Sequence, residues 1–188
     1  VFVGWNQSAE LALQALRYHL PRFGDVPVYA LGHSFGAVLT AMINSKPDSP
    51  FCRVILLDPV LFTPWMLRTM QSLDLLGLYR LNPLAKKALK RRQHWPDPQQ
   101  ASHYLQQRAL FASWHPDALA AYIQHSMSHN EHGLQLKCRP EREAEIFSSY
   151  PKHLWKTLGR PCTDTLVMFG DRSYPFVAKA VKQWQRIN

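Results

Sequence analysis

Three cysteines in 188 residues, Cys52, Cys138 and Cys162, are too few and too far apart for a disulfide framework, and no CxxC pair offers a zinc site. A reducing compartment is the inference, and a cytoplasmic location the expectation. No apolar run approaches the roughly eighteen residues needed to cross a bilayer, so stable membrane insertion is not expected. The first segment lacks a basic stretch followed by an apolar one, although the chain starts at Val1 and not at a methionine. Internal repeats and low-complexity tracts are absent as well. Acidic residues are scarce, 13 against 22 Lys and Arg, for a formal charge of +9.

Part of that excess is local. Over residues 81–92, Leu81, Leu84, Ala85, Ala88 and Leu89 recur at helical spacing, while Lys86, Lys87, Lys90, Arg91 and Arg92 gather on the other side. The pattern predicts an amphipathic surface helix with a solvated basic face. No aromatics interleave with the basic residues and no nucleic-acid-binding motif accompanies them, so neither nucleic acid nor a membrane surface is the expected partner. What the chain does have is apolar mass: 46% hydrophobic and 12% aromatic residues, enough for one domain-sized core.

Ser8 is placed to cap a first helix with Leu11, Leu13, Leu16 and Leu20 as its buried stripe, closed by Pro21. Residues 26–31 read as a short buried strand, 37–43 as a helix of small and apolar residues, and 53–57 as a second strand. Short apolar strands alternating with helices imply an α/β fold with a parallel, doubly wound sheet. From residue 62 the pattern changes to helical stretches with scattered prolines, apart from a brief alternation at Leu134, Leu136 and Cys138, and the strand pattern returns at 165–169, followed by a final helix through residue 187. The expected organisation is therefore core over 1–61, an inserted helical subdomain over 62–150, and core again over 151–188.

Gly32-His33-Ser34-Phe35-Gly36 is a G-x-S-x-G run that follows one predicted strand directly and opens a helix. Glycines on both sides of the serine are expected because the turn is too tight for side chains, and the serine backbone should be strained so that its hydroxyl stands clear of the sheet. At a helix N-terminus the Phe35 amide is placed to hold an oxyanion. In this context, residues 28–36 resemble the nucleophile elbow of the α/β-hydrolase superfamily. Residues 53–59 are similar to the strand after the elbow helix in that family, and 165–171 to the later strand that precedes the usual acid loop. The resemblance covers nearly the whole chain and implies a serine hydrolase, esterase- or lipase-like, with a helical cap over residues 62–150 and no cofactor.

A serine nucleophile needs a base and an orienting acid at the carboxyl ends of the strands. Asp58 and Asp171 both qualify by position, whereas Asp164 precedes its strand. In many family members the acid comes three residues after the glycine matching Gly170, which here is Ser173. Gly170–Pro175 resembles members in which serine fills that place and the acid has moved to the strand after the elbow, which favours Asp58. None of the nine histidines follows the last strand, where the family carries its base, and His33 points away from the serine hydroxyl. The resemblance therefore implies an incomplete hydrolase lacking early strands and the last one, with this piece inactive alone.

His125, His129 and His132 share a helical spacing but lack the HExxH glutamate, so no metal site is expected. Phe62, Trp65 and Met66, with Met70, read as packing between insertion and core. With His33 they are also the candidates for lining an apolar substrate entrance. The reading at this level is a cofactor-free hydrolase of an ester, thioester or similar acyl bond in a small, mostly apolar substrate. Acyl transfer or haloperoxidase-like chemistry, and a non-catalytic binding module on the same fold, are the alternatives.

Overall fold

The computed structural model describes residues 2–78, 82–159 and 161–187. The chain folds as two compact units, one of Leu81–Ser148 and the other of Phe2–Arg80 with Ser149–Asn188.

The second of these holds the parallel sheet. β1 (Val28–His33) pairs with β2 (Phe51–Leu57), and β2 with the strand Thr165–Met168. Leu57 aligns with His33 on one side and Met168 on the other, so the three strands end level. This is the incomplete α/β sheet that the sequence implies. Between β1 and β2 runs α2 (Phe35–Asn44), whose Ala37, Val38, Ala41 and Met42 are buried against both strands. Small residues on this face let the helix approach the sheet closely. Its last turn ties down the third strand: Asn44 is fully buried, and its Nδ2 donates to Thr165 Oγ1 at 2.9 Å and to the Thr163 carbonyl at 3.2 Å. The sheet's two faces differ. Val54 and Leu56 are buried, whereas Tyr29, Leu31, Ile55, Leu166 and Met168 alternate with them and are exposed. The strands are thus covered on one side only, not buried throughout as their apolar composition suggests.

α1 (Trp5–His19) also departs from expectation. It begins three residues before Ser8, after Gly4 in a left-handed conformation (φ 90°), and buries Trp5, Ala9 and Leu13. Those residues recur every four positions, so they form the packed stripe, while Leu11 is exposed. Ser8 is a first-turn residue whose hydroxyl donates to the Gly4 carbonyl at 2.8 Å. α3 (Pro64–Leu75) belongs to this unit, its first turn closed by Thr63 Oγ1 accepting from the Met66 amide.

In the other unit α4 (Pro83–Leu89) replaces the longer predicted amphipathic helix, and Leu81 lies outside the described residues. Ala85 and Ala88 are its buried positions, packed with Ala144, while Leu84 and Leu89 are exposed. Small residues win here because helix–helix approach is close. The basic residues are not all solvated either. The Arg91 guanidinium is half-buried, paired with Glu143 at 2.5 Å and donating to the Tyr122 hydroxyl at 3.3 Å. Arg92 lies over the Tyr104 and Trp95 rings at 5.2 and 5.7 Å.

This unit is not purely helical. After α5 (Pro98–Gln106) and α6 (Pro116–Ser126), β4 (Met127–Asn130) and β5 (Gly133–Leu136) form a hairpin, which β3 (His94–Trp95) extends antiparallel. A Cβ on Gly133 (φ 109°) would overlap the Trp95 carbonyl oxygen and stand 2.6 Å from that of Pro96, so only glycine fits. α6 stops at Ser126, where β4 begins, and His129 lies on a strand, not one turn along a helix from His125. α7 (Pro140–Phe147) closes the unit; α8 (Leu154–Leu158), β6 (Thr165–Met168) and α9 (Pro175–Gln185) complete the sheet unit. Among the described residues no helix is long and apolar enough to cross a membrane.

Candidate active site

β1 ends at His33 and α2 begins at Phe35, which leaves Ser34 alone to turn the chain. It does so at φ 52°, ψ −117°, a conformation costly for any residue with a Cβ. Its amide donates to the Leu57 carbonyl at 2.9 Å, which pins the turn to the end of β2. A Cβ on Gly32 would lie 2.6 Å from the Ala37 Cα and 2.7 Å from Thr40 Oγ1, so α2 can fold back only over glycine. At Gly36 a Cβ would meet nothing within 4 Å, so the tight-turn requirement expected on both sides of the serine holds only before it. Phe35 is the first residue of α2, so its amide has no intrahelical acceptor and stands at the positive end of the helix, where an anion is favoured. The Phe35 ring packs edge-on against Trp5 at 4.6 Å, which fixes the helix start against α1.

Asp58 is the residue after β2, as Ser34 is after β1. The aligned strand ends therefore put the two one strand spacing apart, about 5 Å between backbones. Asp58 also has positive φ (47°), and its amide donates to the Met168 carbonyl at 2.7 Å. Ser173 Oγ donates to Asp58 Oδ2 at 2.8 Å. The other oxygen, Oδ1, is buried and has no hydrogen-bond partner among the described residues. A buried carboxylate oxygen without a donor is costly, which makes Oδ1 the acceptor at this strand edge that a proton-donating partner would satisfy. Reading the sequence did not supply the Ser173 contact, although its position three residues after Gly170 was the visible signal.

Asp171, the second candidate acid, sits in the turn after β6 with its carboxylate 93% exposed and Arg172 as its ionic neighbour at 3.9 Å. Among the described residues no hydrogen bond joins it to Ser34 or Asp58. No hydrogen bond joins Ser34 or Asp58 to a histidine among the described residues. His33 is exposed at the end of β1. His153 precedes α8 in a left-handed conformation, and His94, His103, His115, His125, His129 and His132 belong to the other unit. No group of three metal-ligating side chains occurs among the described residues. Phe62 is buried, stacked on Phe176 and edge-on to Trp5, each at 5.9 Å, and Met66 is half-buried. Trp65 parts from them and is 71% exposed.

A model of the alpha/beta hydrolase family matches residues 3–187. Among curated proteins, the abhydrolase domain-containing protein AFT2-1 of Alternaria alternata is 30% identical over 114 residues, 61% of this chain and 38% of that protein. The chain thus spans well under half the length of the curated relatives it matches. Of solved structures, E-2-(acetamidomethylene)succinate hydrolase superposes with a TM-score of 0.66 at 18% identity, over 100% of this chain and 63% of the other. The thioesterase domain from the curacin biosynthetic pathway gives 0.59 at 18% identity, over 95% of this chain and 62% of that one. The family match leaves only residues 1, 2 and 188 outside it, and the chain belongs to the alpha/beta hydrolase family.

Proposed function

We propose that this chain carries the nucleophile and the acid of a serine hydrolase that cleaves an ester, thioester or similar acyl bond. The observation that carries this reading is the strained backbone of Ser34, held between β1 and α2 by the Leu57 carbonyl. Such strain is retained where it serves a purpose, and here it lifts a hydroxyl above the strand ends beside a helix N-terminus. In the proposed reaction Ser34 Oγ attacks the acyl carbon and its proton passes to a histidine base. The Phe35 amide donates to the oxygen that becomes negative in the tetrahedral intermediate. Asp58 Oδ1 accepts from that histidine and fixes its tautomer, while Ser173 occupies Oδ2. The histidine is one that the described residues do not bring to Ser34, so the complete reaction is a property of the family-length protein. A fold neighbour that is a thioesterase domain is in keeping with a thioester as well as an ester. The insertion expected over residues 62–150, with its compact body at Leu81–Ser148, is proposed as the cap that sets substrate choice.

Fluorophosphonate labelling of the family-length protein containing this chain tests the reading. Covalent labelling that disappears in Ser34→Ala supports it. No labelling, or labelling that survives the substitution, overturns it in favour of a binding module or another nucleophile.

A further inference from the structure

α3 and α9 flank a groove of about 510 Å³ in the sheet unit. Trp65 and Arg68 reach it from successive turns of α3, and Lys179, Lys182 and Arg186 from α9. The α9 residues are spaced by three and four positions, so they share one face of the helix. Four cations line the groove and no carboxylate does. The chain's ion pairs among the described residues all lie elsewhere. Like charges at these helical spacings repel, which leaves an uncompensated positive field that a bound anion would relieve.

Shape narrows the class of anion. The cations on α9 run from Lys179 to Arg186, about 10 Å at 1.5 Å per residue. That is short beside the roughly 4–16 nucleotides engaged by binders of single strands. The groove is open to solvent, and its volume of about 510 Å³ falls within the range of small-molecule sites, about 300–1,000 Å³. A large flat ring stands among the charges: Trp65 is 71% exposed. A single exposed aromatic is unremarkable by itself, but an indole face bordered by lysines and arginines offers stacking and phosphate contacts together. The first turn of α3 adds the positive end of a twelve-residue helix.

We propose that the α3–α9 groove binds a nucleoside di- or triphosphate, with the base against Trp65 and the phosphates on Arg68, Lys179, Lys182 and Arg186. The site is separate from Ser34 and does not rest on the hydrolase reading.

Equilibrium dialysis of radiolabelled ADP against the 188-residue chain at low ionic strength tests this. The expected result is saturable binding that weakens at least about tenfold in Lys179→Gln/Lys182→Gln and stays unchanged in Ser34→Ala. Trp65→Ala should weaken ADP several-fold while leaving inorganic pyrophosphate unaffected. Circular dichroism confirms that each variant keeps its fold, and Lys179, Lys182 and Trp65 are exposed. Absence of saturable ADP binding up to millimolar concentration overturns the proposal, as does binding that the lysine double variant leaves intact. Equal affinity of the unsubstituted chain for ADP and pyrophosphate overturns the nucleotide assignment. Lysine-dependent binding to phosphatidylserine vesicles without ADP binding overturns it in favour of a lipid surface.

Discussion

Two residues with positive φ, Ser34 and Asp58, stand at neighbouring strand ends, and each is held there by a backbone hydrogen bond to the next strand. Strain offset by such anchoring lets side-chain chemistry be read from one substitution at a time. In the family-length protein, Asp58→Asn should lower kcat by about 10³–10⁴-fold, because the amide holds a histidine in the wrong tautomer. Asp171→Asn, on a solvent-facing turn, should leave most of the activity. Steady-state kinetics on both variants decide the acid, and the reverse order would reassign it to Asp171. The glycines flanking the serine divide in the same way. Gly32→Ala forces a Cβ into the α2 backbone and should cost about 1–3 kcal/mol or more in urea unfolding. Gly36→Ala enters open space in a helix and should be neutral or gain up to about 1 kcal/mol. The serine and both glycines were legible from the pentapeptide alone, but their unequal steric burden was not. It depends on how near α2 returns to β1.

At the scale of elements, caps and small-residue contacts decide more than apolar periodicity does. α5 starts at Pro98, and its preceding Asp97 accepts from the Gln100 amide at 2.8 Å. That backbone hydrogen bond holds the Asp97 carboxyl below its ordinary range. A depressed pKa in the folded state contributes stability above the unfolded value, near 3.9, and loses it as pH falls through the folded value. Asp97→Ala should therefore lower the melting temperature at neutral pH, and the gap to the unsubstituted chain should close in acid. A gap that persists when the carboxyl is protonated would assign the loss to packing instead. The basic helix splits likewise. Lys86, Lys87 and Lys90 changed to Gln should leave stability within about 0.5 kcal/mol. Arg91→Gln should cost about 1–2 kcal/mol, since it leaves the half-buried Glu143 without its partner. Reading residues 81–92 as one solvated face missed this, because nothing in the periodicity shows that α7 returns beside α4.

Taken whole, the sheet unit is a core with one open side. Tyr29, Leu31, Ile55, Leu166 and Met168 form an exposed apolar face, larger than the singly scattered residues normal for a soluble surface. The 188-residue chain should therefore self-associate as its concentration rises, and Leu31→Lys with Leu166→Lys should suppress the association in dynamic light scattering. A single sharp monomer at high concentration without those changes would show that the face is tolerated. The same chain should not turn over short p-nitrophenyl esters, because Ser34 without a hydrogen-bonded histidine remains an ordinary alcohol. Turnover abolished by Ser34→Ala would mean that one of the nine histidines does reach it.

Local features carried their own signals in the sequence. The strand–G-x-S-x-G–helix order, the aspartate closing β2 and the α/β alternation all depend on neighbours along the chain, where spacing and backbone sterics act directly. Tertiary structure alone decided the rest. The α1 stripe is Trp5, Ala9 and Leu13, which shares only Leu13 with the expected leucine stripe, because the face of α1 that packs is set by where α2 lies. The alternation of Leu134, Leu136 and Cys138 hinted at β5, but its pairing with β4 and β3 was not legible, because those partners are brought beside it only by the fold. The orphaned oxygen of Asp58, beside the one taken by Ser173, arises from two segments 115 positions apart. No local pattern encodes such a meeting, since it exists only once β2 and β6 pair and bring their loops to one edge of the sheet.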